Sequence, residues 1–426
     1  MGSSAARIDQ YTAAFADFIT ASPSAFHAAN EVAGQLEARG FARVDEASDW
    51  AEHAKPGARA VIVRDGAVVA WAIPDAATAV TPFRIVGAHT DSPSFKLETN
   101  PSYSAAGLSQ ASVEVYGGPL LNSWLDRELS FAGRLVTRDG VEHLVRTAAI
   151  ARIPQLAIHL DREQNSGLSL DRQRHMQPVY AMADADIVAH LAALAGVDRD
   201  AVGGWDVYLA DTNPPARFGL DREFFAAGRL DNLSSVFAGL RGFVGSDGSA
   251  RSIRVLAAFD HEEVGSGSTS GASGPLLEDV LHGISEGLGG GAAEYRRAAR
   301  ESWLVSADAG HAVHPNYPDR HDPQNRPLLG GGPLLKLNAG QKYATDARGA
   351  ALWAGACDAA GVEFQTFVSN NTVPCGSTIG PLSATRLGIQ TVDVGTPLLS
   401  MHSARELAHV GDLAALGAAL EAFYRG

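Results

Sequence analysis

Apolar positions recur along the chain at two different periods. Near the start Tyr11, Phe15, Phe18 and Ile19 fall on one face at helical spacing, and Phe26, Val32, Leu36 and Phe41 do so more loosely. Two core-facing helices are expected there. Residues 60–73 alternate about Asp65-Gly66, which predicts a hairpin. Residues 83–88 form an apolar strand that runs into His89-Thr90-Asp91-Ser92-Pro93. From about Ser94 to Arg222 the texture changes. Short β-like runs at 113–116, 131–136 and 141–146 replace the strand–helix alternation, followed by a very apolar run at 150–160 that carries His159 and a helix at 184–195. We read 94–222 as an inserted β-rich domain within a main domain made of 1–93 plus 223–426.

After Gly228 the alternation resumes. Strands are expected at 253–259, 303–307, 364–368 and 389–394, and helices at 231–244, 274–288, 292–300, 347–361, 377–387 and 412–424. Strands alternating with helices of ten or more residues imply an α/β class, a central mixed sheet flanked by helices.

The length, 426 residues, is too great for one small core and agrees with a main domain carrying an insertion. With 34 basic against 48 acidic residues the net charge is −14, which argues against nucleic acid or an anionic membrane as partner. The two cysteines, Cys357 and Cys375, form no Cys-x-x-Cys pair. That disfavours a disulfide framework and a cysteine zinc site, and cytoplasmic placement is expected. No apolar stretch reaches the roughly 18 residues of a membrane span, and no signal pattern opens the chain.

The charged residues gain meaning from where the strands end. The run 253–259 is apolar and β-branched, yet it ends in Asp260-His261-Glu262-Glu263, with Gly265 and Gly267 just beyond. Burying unpaired charge is costly, and glycines permit a sharp turn, so one glutamate can ligate a metal while its neighbour holds a water. Five positions share this placement, past a strand or opening the next helix: His89, Asp231, Glu263, Asp308 and His402. Ligands of open α/β sheets collect at the carboxyl ends of strands. Two histidines with three carboxylates suit zinc, cobalt or manganese. Five protein ligands exceed the three of a catalytic zinc but suit two ions about 3.5–4 Å apart that share a carboxylate. Asp91 can accept the second N–H of the His89 ring, and Glu262 is left as general base. Other readings stay open on spacing alone. Asp231 can be a helix cap, His311 and His314 can be ligands, and Cys375 with His402 can be a thiol dyad.

Five motifs taken together resemble the aspartyl aminopeptidase family: Gly-Ala-His-Thr-Asp-Ser-Pro (87–93), Gly-Arg-Leu-Asp-Asn-Leu (228–233), Asp-His-Glu-Glu-Val-Gly-Ser (260–266), Ser-Ala-Asp-Ala-Gly-His-Ala-Val-His-Pro-Asn-Tyr (306–317) and Met-His-Ser-Ala-Arg-Glu (401–406). The likeness runs in order from about residue 10 to the end. It implies a two-zinc exopeptidase that removes N-terminal Asp or Glu, with His89, Asp231, Glu263, Asp308 and His402 as ligands, Asp231 bridging and Glu262 as base. It implies that 94–222 is a dimerisation domain and that dimers build a tetrahedral dodecamer. Lys336 would hold the acidic side chain, His159 would reach the partner subunit's site, and His314 and Tyr343 would contact substrate. Alternatives are a related two-metal aminopeptidase or deacylase of other specificity, and a non-enzymatic scaffold.

Overall fold

The structure is a computed structural model and describes residues 2–182, 184–248 and 251–426. Its centre is a nine-stranded mixed sheet. In spatial order the strands are Ala42–Arg43, Arg59–Arg64, Ala67–Ala72, Ile253–Phe259, Phe83–His89, Trp303–Ala307, Gln390–Gly395, Leu334–Leu337 and Gln365–Val368. The four strands from Ile253–Phe259 to Gln390–Gly395 run parallel. The hairpin of Arg59–Arg64 and Ala67–Ala72 is antiparallel and flanks them on one side.

Period-two alternation decides which core each strand residue enters. Val86, Ala88, Leu256, Ala258, Val305 and Ala307 face one side, against the helices Gly2–Ala21, Ala25–Glu37, Leu230–Gly245, Ala347–Ala360 and Val410–Arg425. Phe83, Ile85, Val255, Ala257, Phe259 and Leu304 face the other, against Leu276–Gly287, Ala292–Glu301 and Ile379–Leu387. Strands buried on both faces read as continuous apolar runs, which is why these were visible in the sequence.

A six-stranded sheet takes all its strands from residues 94–211, in the order Glu142–Arg146, Leu129–Thr137, Val202–Asp211, Ser94–Ala105, Leu108–Tyr116 and Val179–Met182. The helix Ile187–Ala195 packs on it, capped by the Asp186 carboxylate and ended by left-handed Gly196. Ala216–Phe218, which sequence texture placed with this unit, pairs instead with Phe224–Ala227 in a third sheet that also holds Glu406–His409, Pro397–Leu399 and Gly310–His311. Of the apolar run at 150–160 only Ala151 and Ile153 enter the core. Beyond Ile153 it is an exposed irregular segment, with Leu156, Ile158, Leu160 and His159 in solvent. Among the described residues no helix is long and apolar enough to cross a membrane.

Candidate metal centre

His89, the turn 260–263 and Asp308 leave three neighbouring parallel strands at the same edge of the sheet. Phe259 is level with His89, and Ser306 with Gly87. Asp231 arrives from the start of the helix Leu230–Gly245 and His402 from the loop after Pro397–Leu399. Asp231 does not act as the cap of that helix: its carboxylate faces the histidines, with Oδ1 and Oδ2 each 3.3 Å from an imidazole Nε2. All five predicted ligands and Glu262 therefore meet, across a sequence span of more than three hundred positions.

Each imidazole is anchored through Nδ1 and aims Nε2 at carboxylates. His89 Nδ1 donates to the Asp91 carbonyl at 3.0 Å, with the Asp91 Oδ1 at 3.4 Å. Its Nε2 lies 3.3 Å from Asp231 Oδ1, 3.5 Å from Asp308 Oδ1 and 4.0 Å from Glu262 Oε2. His402 Nδ1 donates to the Gly118 carbonyl at 3.1 Å, and its Nε2 lies 3.3 Å from Asp231 Oδ2 and 3.4 Å from Glu263 Oε2. The carbonyl partners fix the tautomer that leaves Nε2 as the ligand atom.

The donors suit a divalent ion. Ligand atoms of His89, Asp231 and Asp308 lie within 4.8 Å of one another, as do those of Asp231, Glu263 and His402, and those of His89, Glu262 and Glu263. Asp231 Oδ1 and Glu263 Oε1 are buried without a hydrogen-bond partner, an expensive state for carboxylate oxygens that a cation relieves. Protonation reports the same deficit of positive charge. Burial pushes Glu262 up to about 7 and Glu263 well above the usual carboxylate range, with Asp231 adding to both. Burial opposes charging His89, but the carboxylates of Asp231, Asp308 and Asp91 outweigh it and hold the ring well above its ordinary pKa. His402 is treated alike and reaches about 10.

Three residues without an assigned role in the sequence hold these groups. Glu406, buried, accepts the backbone N–H of Asp231 at 3.0 Å and of His402 at 2.7 Å. Asn232 donates to the Ala307 carbonyl and accepts from the Ala309 N–H, straddling Asp308. The Tyr116 hydroxyl donates to Asp91 Oδ2 at 2.8 Å. Asp91 in turn accepts the N–H groups of Glu262 and Glu263 at 3.0 and 3.1 Å. Its carboxylate thus sets the turn that bears both glutamates besides approaching the imidazole. Glu406 and Tyr116 act on backbone or on another carboxylate, so only the nearness of Glu406 to His402 in one motif hinted at them.

The site opens into a cleft of about 670 Å³, room for more than one amino-acid residue. Lys336, Tyr343, His314 and His311 line it, together with Phe367, Val368, Arg320 and Cys375. Lys336 is buried, donates to Asp308 Oδ2 at 3.2 Å and to the Ala309 carbonyl at 2.7 Å, and sits 5.4 Å from the Tyr343 ring centroid. His311 and His314 line the wall but join none of the ligand groupings. Cys375 Sγ donates to the Gly376 carbonyl, and both His402 nitrogens are engaged elsewhere, so the thiol dyad has no geometry here. His159 does not line the cleft of its own chain.

Residues 18–424 match the aminopeptidase I zinc metalloprotease (M18) family. A probable M18 family aminopeptidase 2 of Streptomyces coelicolor is 50% identical over 415 residues, 95% of each chain. Among solved structures, a chain of the Ape4–Nbr1 complex superposes with TM-score 0.94 at 33% identity, covering 98% of this chain and 86% of that one. The S. cerevisiae mApe1 dodecamer gives 0.85 at 25% identity, covering 97% and 96%. The near-complete match, on a chain whose histidines and carboxylates converge on one buried cluster, makes this protein a member of the M18 family and a zinc aminopeptidase.

Proposed function

We propose that the chain removes N-terminal Asp or Glu from peptides, using two divalent ions, zinc in the first instance and cobalt or manganese as substitutes. The observation that carries the two-ion reading is the split of Asp231: its Oδ1 and Oδ2 face different histidines, each at 3.3 Å. His89, Asp231 and Asp308 would hold one ion, and Asp231, Glu263 and His402 the other. When bound, such ions polarise the scissile carbonyl and lower the pKa of water toward neutrality. Glu262 takes the proton of the attacking water and delivers it to the leaving amine. Asp91 keeps Glu262 in place through its backbone N–H. The substrate's free amine is attracted to the floor carboxylates.

Lys336 supplies the positive charge for an acidic first side chain, with Tyr343 and His314 as further contacts. The exposed segment around His159, with Leu156, Ile158 and Leu160 in solvent, fits a strip that a second copy covers, bringing His159 to the neighbouring site. The β-rich unit 94–222 serves dimerisation, and a dodecamer like that of the yeast relative follows from such dimers. Two free thiols and the acid-rich surface favour a cytoplasmic enzyme without nucleic-acid or membrane partners.

A second reading, an aminopeptidase for apolar first residues, draws on Lys336 being already hydrogen-bonded to Asp308 and on the Phe367, Val368 and Tyr343 wall. One experiment separates the two: metal content per chain, with Asp-, Glu- and Leu-linked chromogenic amides assayed before and after chelation. We expect two ions per chain and fastest turnover of an acidic substrate. One ion per chain overturns the two-ion mechanism, and a preference for Leu gives the second reading. Glu262→Gln is expected to lose at least about a hundredfold in turnover with metal content unchanged.

A further inference from the structure

The cleft has two cationic side chains at different depths. Lys336 is on the floor beside Asp308, buried, with two of its three N–H groups hydrogen-bonded to Asp308 and Ala309. Arg320 is at the exposed rim of the same cleft. Among the described residues its guanidinium has no hydrogen-bond or ion-pair partner. Its backbone, in contrast, is fixed. Pro318–Arg320 is a 3-10 turn, with the Arg320 N–H donating to the Tyr317 carbonyl at 3.2 Å. Asn370, which also lines the cleft, donates to the Asp319 and His321 carbonyls on either side of Arg320, each at 3.2 Å. His321 Nε2 accepts the His314 N–H at 3.3 Å. An unpaired guanidinium held on a braced turn at the mouth of an acidic site is positioned to meet something negative.

An aminopeptidase substrate enters with its free amine toward the floor carboxylates, so everything beyond the scissile bond points to the mouth, where Arg320 stands. We propose that Arg320 anchors a carboxylate on the leaving side of the scissile bond, and so favours substrates whose second residue carries one. That carboxylate is either the free C-terminus of a dipeptide or the side chain of an acidic second residue. This assignment rests on the aminopeptidase reading of the cleft but not on which first residue it prefers. Guanidinium is suited to the task because its planar fork pairs with both carboxylate oxygens.

The test uses the metal-loaded full-length enzyme and compares kcat/KM within pairs that share the first residue. Xaa-Ala against Xaa-Ala-amide reads the C-terminal carboxylate, and Xaa-Asp-amide against Xaa-Asn-amide reads the side chain, with Xaa as Asp and as Leu. The wild type is expected to favour the carboxylate member of at least one pair by about three- to tenfold, as an exposed charge-assisted contact provides. Arg320→Gln should abolish that ratio through KM, with kcat on the amides unchanged. Arg320→Lys should keep part of it. Lys342→Gln, which removes the same charge from a nearby exposed lysine outside the cleft, should keep all of it. A wild type indifferent to both carboxylates, a ratio that survives in Arg320→Gln, or an equal loss in Lys342→Gln overturns the proposal. Because each ratio is taken at a fixed first residue, a wrong assignment of Asp/Glu preference changes which series is faster and leaves the Arg320 result readable.

Discussion

Two buried carboxylates hold the candidate metal centre from behind. Asp91 accepts the N–H groups of Glu262 and Glu263, and Glu406 those of Asp231 and His402. The loops so held are strained at single residues: His261, at φ 62°, and His402, at φ 65°, adopt the left-handed region that side chains avoid, at a cost of about 1–3 kcal/mol each. Backbone bonds to a buried carboxylate offset that cost. Burial, followed by the nearby Asp231, in turn pushes Glu406 up to about 8. Replacing Glu406 with Gln turns one accepting oxygen into an amide donor facing an N–H. We expect zinc affinity to fall about 10- to 100-fold, measured by competition with a chromogenic chelator. Unchanged affinity would show that the ligand loops hold themselves. The convergence of His89, Asp231, Glu262, Glu263, Asp308 and His402 was legible in the sequence because each lies shortly past a strand or opens a helix. Glu406 was not, since a side chain that serves only backbone N–H groups leaves no spacing pattern.

Elements recovered from the sequence were those with one strong reason to form. Ile253–Phe259 and Trp303–Ala307 are apolar on both faces and appear within a residue of expectation. Ser94–Ala105 did not declare itself: Ser-Phe-Lys-Leu-Glu-Thr-Asn-Pro-Ser-Tyr-Ser-Ala mixes charge and a proline, and its register slips between Leu97 and Ser102. Leu334–Leu337, which presents Lys336, is four residues long, too short for periodicity to distinguish. Its neighbour Gln390–Gly395 ends where Gly395 closes on the metal edge, and a Cβ there would lie 1.7 Å from the Asp308 carbonyl oxygen. The Asp308 N–H also donates to Val394 at 2.9 Å. Gly395→Ala must therefore push Asp308 off its position. We expect a loss of about 1–3 kcal/mol of stability and a fall of at least tenfold in kcat/KM, read from melting curves and rates on one preparation. Gly34→Ala, where a Cβ meets nothing within 4 Å, is the control, and equal behaviour of the two variants would refute the packing argument.

At the scale of the whole molecule, the N-terminal helices join the two larger sheets. Arg134 of the six-stranded sheet stacks over Phe26 at 4.5 Å and pairs with Asp65, while Arg146 donates to the Thr20 carbonyl. His27 lies in this seam, with Ser24 Oγ 2.8 Å from its Nδ1. Burial, then the charges of Arg146 and Arg229, lower its pKa to about 4. The folded ring thus stays neutral below its ordinary 6.5 while the unfolded chain takes up a proton. The stability His27 contributes is whole above about pH 6.5 and drains away as pH falls toward 4, at most about 3 kcal/mol. Urea midpoints at pH 7 and 4.5 should therefore converge in His27→Gln relative to wild type. An acid limb of unaltered steepness would place the sensitivity elsewhere.

The bond from His402 Nδ1 to the Gly118 carbonyl, with the Tyr116 hydroxyl on Asp91 beside it, gives ion retention a second meaning. If His402 and Asp91 serve the metal as proposed, the grip on the cation depends on two atoms lent by the six-stranded unit, so splicing that unit out would leave an intact ligand list with a swivelling imidazole. Agents that pry the seam open without touching any ligand should release zinc, which makes leakage of metal a gauge of whether the two halves remain docked.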